Sequence, residues 1–247
     1  MMKNLDYFMS YEMSELSALA NKYGTDKGTN NSSDHGYMTI YDLVLSPLRN
    51  SPISFVEIGV FHGKSILAWR EYFSHAKIYG IDISKDSLNK INGIDNVFPI
   101  QANQENREQL LSFAEEHGPF DVIIDDGGHS NKQQQISFAC LFPYVASGGI
   151  YIIEDLDGFY DVNDQYIQEE DDDSFLMLYS LGMNKCLGDT AYHMKKEEVE
   201  YIENNLYSVG LYSGTSSELT TSSGMYMPRS AISAHKTIQW TSVIRKI

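Results

Sequence analysis

The sequence predicts a doubly wound α/β domain on a mostly parallel sheet, from three observations. Five short apolar, β-branched runs recur along the chain, helical stretches separate them, and three of the five finish on acidic residues. Strands buried on both faces read as continuous apolar runs, and parallel neighbours need helical crossovers between them. A chain of 247 residues suffices for one large domain with a well-buried core, so one domain with insertions is expected.

Residues 1–50 read as a helix, a Gly/Asn/Ser-rich loop over 24–36, and a second helix through Tyr41 and Leu45 that ends before Pro47. The first strand spans 53–58. A glycine-punctuated turn follows, then an apolar-periodic helix holding Ile66, Leu67, Trp69 and Tyr72. The second strand, 77–81, ends in Asp82, and the third covers 97–100. The fourth, 120–124, ends in Asp125 and Asp126; the fifth, 149–153, ends in Glu154 and Asp155. After Leu156 the chain turns polar, aromatic and acidic through residue 175, with the run Glu169-Glu170-Asp171-Asp172-Asp173 inside it. That stretch reads as a lid or loop insertion, although an acidic run alone is also what a solvated surface looks like. Two late strands, 206–212 and 225–228, are expected to pair antiparallel across the Ser/Thr/Gly-rich turn between them.

Composition narrows the partners. A hydrophobic share of 42% and an aromatic share of 12% exclude a disordered chain. A net charge of −16 repels phosphate backbones and anionic lipid, so neither nucleic acid nor a membrane is an expected partner. Cys140 and Cys186 lack the spacing of a zinc site or disulfide framework, no apolar window reaches membrane-span length, and residues 1–4 do not open a secretion signal. A cytoplasmic protein is the expectation, and the sequence leaves a homo-oligomer open.

Strand one runs into Glu57-Ile58-Gly59-Val60-Phe61-His62-Gly63-Lys64-Ser65, a glycine turn between strand and helix of the kind that lets backbone N–H groups face a ligand. The dinucleotide pattern Gly-x-Gly-x-x-Gly fails at Phe61, and a phosphate-binding P-loop fails by one residue because Ile58 stands where its first glycine belongs. The third reading is an S-adenosylmethionine site. There Glu57 helps to bind the amino acid end, the turn from Gly59 to Gly63 admits the body of the cofactor, and Asp82 receives the ribose hydroxyls. Either carboxylate alone would read as a cap or turn residue.

The acids after strands four and five lie side by side in a doubly wound sheet, at the rim where ligands sit. Oxygen ligands from Asp126, Glu154 and Asp155 suit a hard divalent ion, Mg²⁺ or Mn²⁺, and the absence of thiols argues against structural zinc. His129, three residues past Asp126, is the candidate general base.

With these residues in view the chain resembles a family: the class I methyltransferases, and among them the metal-dependent sugar O-methyltransferases typified by the mycinamicin and rhamnosyl-tetracenomycin enzymes. The resemblance covers roughly residues 20–160. It rests on Lys22-Tyr23-Gly24-Thr25-Asp26-Lys27, on Val56-Glu57-Ile58-Gly59-Val60, on the Ile-Asp-Asp-Gly-Gly-His stretch 124–129 and on the strand ending in Ile153-Glu154-Asp155. It implies a Rossmann-like fold with a seven-stranded, mostly parallel sheet and a C-terminal antiparallel hairpin. It implies Asp126, Glu154 and Asp155 as metal ligands, His129 as base with Asp126 beside it in catalysis, and Tyr23, Thr25 and Lys27 in a lid near the cofactor. Where relatives often carry Gly-Asp-Gln after strand three, this chain has Ala102-Asn103-Gln104. The full expected cofactor set is Tyr23, Thr25, Lys27, Glu57, Gly59, Gly63, Ser65, Asp82, Asn103 and Asp125.

The organisation expected is then a helical cofactor lid over 1–50 and a methyltransferase domain over 51–247, with 157–193 as a substrate lid. The expected reaction moves a methyl group from S-adenosylmethionine to a sugar hydroxyl. A nucleotide-linked hexose or heptose destined for a surface polysaccharide is the acceptor read from the aromatics Phe159, Tyr160, Tyr166, Phe175, Tyr179 and Tyr192 and the cations Lys185, Lys195, Lys196 and Arg229. A glycosylated natural product is the alternative acceptor, and a P-loop-like phosphotransferase or a non-catalytic binding protein are the competing classes.

Overall fold

The computed structural model describes residues 14–30, 35–156, 173–214 and 239–247. Helices α1 (Glu15–Tyr23) and α2 (Met38–Leu45) precede an alternation of β1 (Ser54–Ile58), α3 (Lys64–Tyr72), β2 (Lys77–Asp82), α4 (Lys85–Asn89), β3 (Val97–Gln101), α5 (Arg107–His117), β4 (Phe120–Asp125), α6 (Asn131–Leu141) and β5 (Val145–Ile153). Then come α7 (Ser174–Asn184), α8 (Lys196–Asn205), β6 (Leu206–Gly214) and β7 (Gln239–Lys246). The seven strands lie in the order β3-β2-β1-β4-β5-β7-β6. β1 to β5 run parallel, while β7 pairs antiparallel with both β5 and β6. The order reverses between β1 and β4, which is where open α/β sheets place their ligands.

Alternation along the strands divides the core in two. Phe55, Ile78, Val122, Ile124, Ile150 and Ile152 face one layer with Leu16, Tyr41 and Trp69, and Val56, Tyr79, Ile81, Ile123, Tyr151 and Ile153 face the other with Leu110, Phe138 and Leu178. Each such fully buried side chain contributes about 1.5–3 kcal/mol relative to exposure. Glu57 breaks the apolar pattern on the face that carries Trp69, which is the first structural sign that this position has a task other than packing.

Residues 14–50, where described, contribute to this core. Leu16, Ala20, Tyr37, Met38, Tyr41 and Leu45 are buried in the layer against α3. The late strand expected at 225–228 lies outside the described residues, and the strand that pairs with β6 is instead β7. Its Thr241 and Ser242 are fully buried polar residues, so no continuous apolar run marked it. Residues 157–172, the first part of the expected substrate lid with Phe159, Tyr160, Tyr166 and most of the acidic run, are likewise outside the described residues, as is Arg229. Among those described, no helix is long and apolar enough to cross a membrane.

Candidate active site

Register places the acids. Asp125 sits level with Ile58 on β1 and Ile153 on β5, so Asp126 and Glu154 each begin the next step beyond the sheet. The Asp126 N–H donates to Ile58 O at 3.0 Å, and the Glu154 N–H to Asp125 O at 2.9 Å, which extends the ladder just far enough to bring both to one rim.

On the β1–β2 side the glycine turn is tied down. Gly59 has φ 91°, and a Cβ there would stand 1.9 Å from the Asp126 carbonyl oxygen, so only glycine lets this turn lie against the loop after β4. Asp82 Oδ2 accepts the N–H groups of Val60 and Phe61, both at 3.0 Å, while Oδ1 accepts that of Ser84 at 2.8 Å. Gly59 N–H goes to Ile81 O and Gly63 N–H to Val60 O. A phosphate cradle requires amides aimed at the anion; here four of the amides of the turn already have protein acceptors, so the P-loop reading fails on geometry as well as on spacing.

Beneath the turn, Glu57 is fully buried, accepting from Ser65 Oγ at 3.0 Å and from Trp69 Nε1 at 3.2 Å. Burial pushes its carboxyl up to about 7, against the pull of Lys27. Asp125 is also buried, accepting from Gln104 Nε2 at 2.6 Å, from Ser137 and from Tyr151 at 3.3 Å, and burial raises it to about 6.

The β4–β5 side differs. One donor atom each from Asp126, His129 and Asp155 lies within 4.8 Å of the others. His129 and Asp155 both hold left-handed backbone, φ 57° and 50°, a conformation that costs a non-glycine residue on the order of 1–3 kcal/mol. α6 starts directly after His129 with a capping box between Ser130 and Gln133, fixing the turn from below. His129 Nε2 stands 3.7 Å from Asp155 Oδ2, and its Nδ1 is buried with no hydrogen-bond partner among the described residues.

The fully buried Lys27 ammonium, carried in by the Gly-Thr-Asp-Lys loop, donates to Asp126 Oδ2 and, at 2.7 Å, to Glu154 Oε2. Burial alone would lower this lysine, but Asp126 and Glu154 outweigh it and hold it well above the usual range. Burial raises Asp126 and Glu154 in turn, and Lys27 draws each back down. Tyr37 donates to Asp155 Oδ1 at 2.8 Å, with His35 Nδ1 3.5 Å from the same oxygen. Glu154 Oε1 is buried and has no hydrogen-bond partner among the described residues. An all-oxygen carboxylate set with an orphaned buried oxygen and an adjacent imidazole fits a hard divalent ion.

The structure thus brings together Asp126, His129, Glu154 and Asp155, with Gly59 against them, and seats Asp82 at the neighbouring strand end. Other expected residues are elsewhere. Tyr23 donates to Glu71 Oε2 on the outer side of α3, Thr25 is buried and accepts the Lys27 N–H, and Asn103 accepts the Glu105 N–H in an exposed turn. Ser65 points down to Glu57 rather than out. Lys27 faces the acids and not the open rim. Sequence reading missed Tyr37 and His35, which stand in a loop without periodicity, and Gln104, which also accepts the Gly128 N–H at 2.9 Å.

Comparison with known proteins agrees with this geometry. A sequence profile described as a methyltransferase domain matches residues 56–156. The chain is similar to the 8-demethyl-8-(2-methoxy-alpha-L-rhamnosyl)-tetracenomycin-C 3'-O-methyltransferase of Streptomyces olivaceus, at 36% identity over 150 residues, covering 58% of this chain and 37% of that protein. It is similar to the mycinamicin VI 2''-O-methyltransferase of Micromonospora griseorubida at 36% identity, covering 58% of this chain and 36% of that protein. In three dimensions it resembles the MycE methyltransferase from the mycinamycin biosynthetic pathway, solved in complex with Mg, SAH and mycinamycin VI. That match has a TM-score of 0.70 at 26% identity, covering 95% of this chain and 55% of the other. The chain spans well under two thirds of the length of each of these relatives.

Proposed function

From the premise that this chain has the Rossmann-like class I methyltransferase fold and resembles the sugar O-methyltransferases, we propose that it transfers a methyl group from S-adenosylmethionine to a sugar hydroxyl with the help of a divalent ion. The observation that carries this reading is that donor atoms of Asp126, His129 and Asp155 lie within 4.8 Å of one another at the strand ends, with Glu154, whose Oε1 is orphaned among the described residues, joined to Asp126 through Lys27. Asp126, Glu154 and Asp155 would hold Mg²⁺ or Mn²⁺, which when bound would supply Lewis-acid chemistry to the acceptor hydroxyls.

The residues divide the remaining work. Asp82 stands at the end of β2 to receive ribose hydroxyls through lone pairs that the turn amides leave available. Gly59 and Gly63 shape the surface against which the cofactor lies, with Asn103 at the adenine end. Glu57, Ser65 and Asp125 act from beneath, holding the floor of that surface. Tyr23, Thr25 and Lys27 belong to an N-terminal segment, within 1–50, that covers the cofactor, and 157–193 closes over the acceptor. His129 takes the proton from the attacking hydroxyl, with Asp155 orienting the ring and Asp126 setting the charge around it. Positioning the nucleophile about 3 Å from the methyl carbon, in line, supplies much of the rate.

For the acceptor, the aromatic segment and the exposed cations Lys185, Lys195 and Lys196 support a nucleotide-linked sugar. The names of the relatives favour a second reading, a sugar already attached to a natural product. The test is methyl transfer from labelled S-adenosylmethionine with Mg²⁺ to nucleotide-sugars, free sugars, catechols and glycosylated macrolides in parallel. Turnover of a sugar is expected; turnover of catechol alone refutes the acceptor class.

A further inference from the structure

The three carboxylates of the proposed metal site share a pattern that the reaction itself does not require. Each has one oxygen held from the N-terminal segment and one oxygen left over. Lys27 holds Asp126 Oδ2 and Glu154 Oε2, and Tyr37, with His35 behind it, holds Asp155 Oδ1. On the other side, among the described residues, Glu154 Oε1 and Asp126 Oδ1 accept no hydrogen bond, and Asp155 Oδ2 faces the His129 ring at 3.7 Å. We infer that Lys27 and Tyr37 are positioning residues for the divalent ion, fixing one oxygen of each ligand carboxylate so that the second faces the ion, and that Lys27 serves the metal rather than the cofactor.

Two physical points support this. A carboxylate with both oxygens free rotates, and a partner on one oxygen fixes the direction of the other, as hydrogen-bond partners behind metal ligands generally do. Charge is matched as well. Three ionised carboxylates and one ammonium sum to −2, which a divalent cation neutralises; without Lys27 three buried negative charges would crowd one rim with no fixed counter-charge. Lys27 is 1% exposed on its side chain and meets Glu154 across 127 residues of sequence, a placement that a mobile cofactor-covering lysine would not need.

The inference deepens the proposed function and rests on it, but the two fail differently. The full chain is titrated with MnCl₂ by calorimetry and by electron paramagnetic resonance, and separately with S-adenosylhomocysteine, in the wild type, Lys27→Met, Lys27→Arg and Tyr37→Phe. Lys27→Met is expected to raise the Mn²⁺ Kd by about tenfold or more, with the S-adenosylhomocysteine Kd changed by less than about twofold. Lys27→Arg keeps the charge and recovers part of the loss. Tyr37→Phe removes only a hydroxyl and raises the Mn²⁺ Kd by about threefold. Mn²⁺ binding that is unchanged or tighter in folded Lys27→Met overturns the inference, as does loss of S-adenosylhomocysteine affinity with Mn²⁺ binding intact. If circular dichroism shows Lys27→Met unfolded, Tyr37→Phe decides, and an unchanged Kd there overturns it. A wild type that binds no Mn²⁺ overturns the divalent site itself and this inference with it.

Discussion

Six carboxylates crowd the strand ends of this sheet, and the two halves of the rim treat them in opposite ways. On the β1–β2 side and under it, Glu57, Asp82 and Asp125 have both oxygens occupied by protein donors. On the β4–β5 side, Asp126, Glu154 and Asp155 each have one oxygen held and the other without a hydrogen bond from a described residue; of these second oxygens Glu154 Oε1 is the buried one, and Asp155 Oδ2 stands 3.7 Å from His129. A buried acceptor left unpaired costs about 1–3 kcal/mol, more when charged, and folding removes such groups unless something else needs them. Saturated acids hold the scaffold in shape; the half-saturated ones are those on which the proposed metal site rests.

The largest effect is expected where the contrast is sharpest. Asp155→Ala or Asp126→Ala should lower methyl transfer on the order of a thousandfold or more while leaving the circular dichroism spectrum intact, and EDTA should do the same reversibly. Full turnover in chelator would erase the distinction between the two sides. On the saturated side the signature is stability rather than turnover. The Glu57 carboxyl is raised to about 7, so the native state binds a proton that the unfolded chain releases near its ordinary value. That contribution is complete below about pH 4.5 and is lost as pH rises through 7. Glu57→Gln should therefore match the wild type in urea melts at pH 5 and exceed it by about 3 kcal/mol at pH 8. Equal midpoints at both values would mean that the buried carboxyl is not strained.

Asp82 tests whether a saturated acid also binds. Asp82→Ala should weaken S-adenosylhomocysteine binding by about 1.5–3 kcal/mol in calorimetry, since its oxygens retain lone pairs for ribose. Unchanged affinity would confine Asp82 to bracing the turn. The smallest effect belongs to Tyr23, whose hydroxyl bonds Glu71 in the open. Tyr23→Phe should shift the unfolding free energy by about 1 kcal/mol or less.

What the sequence made legible follows from how far each signal reaches. The parallel strands and their terminal acids show in apolar runs, because β1, β2, β4 and the second half of β5 are buried on both faces, while β3, at the sheet edge, is partly exposed and gives the shorter signal. β7 escaped because Thr241 and Ser242 occupy its centre. Thr241 donates to Ile153 O at 3.1 Å, and Ser242 Oγ accepts the Ile153 N–H at 3.2 Å, so a central strand is written in hydroxyls. At the site, residue types and spacing marked Asp126, His129, Glu154 and Asp155. The same spacing could not show that Glu57 and Ser65 bond each other below the turn, because that depends on which face of β1 meets α3. Nor could it show that the lysine of Gly-Thr-Asp-Lys reaches two acids 99 and 127 residues away.

That long reach also gives the site an order of assembly in time. Lys27 precedes Asp126 by 99 residues and Glu154 by 127, so the ammonium is synthesised well before the pair that neutralises it. Contacts of such sequence separation close slowly, because a long loop must be ordered before they reward it. The parallel strands β1 to β4 can meet while the site is still missing its β5 acids. The centre is complete only once the segment carrying Lys27 docks on the acids that follow β4 and β5, and a chain interrupted before β5 lacks Glu154 and Asp155.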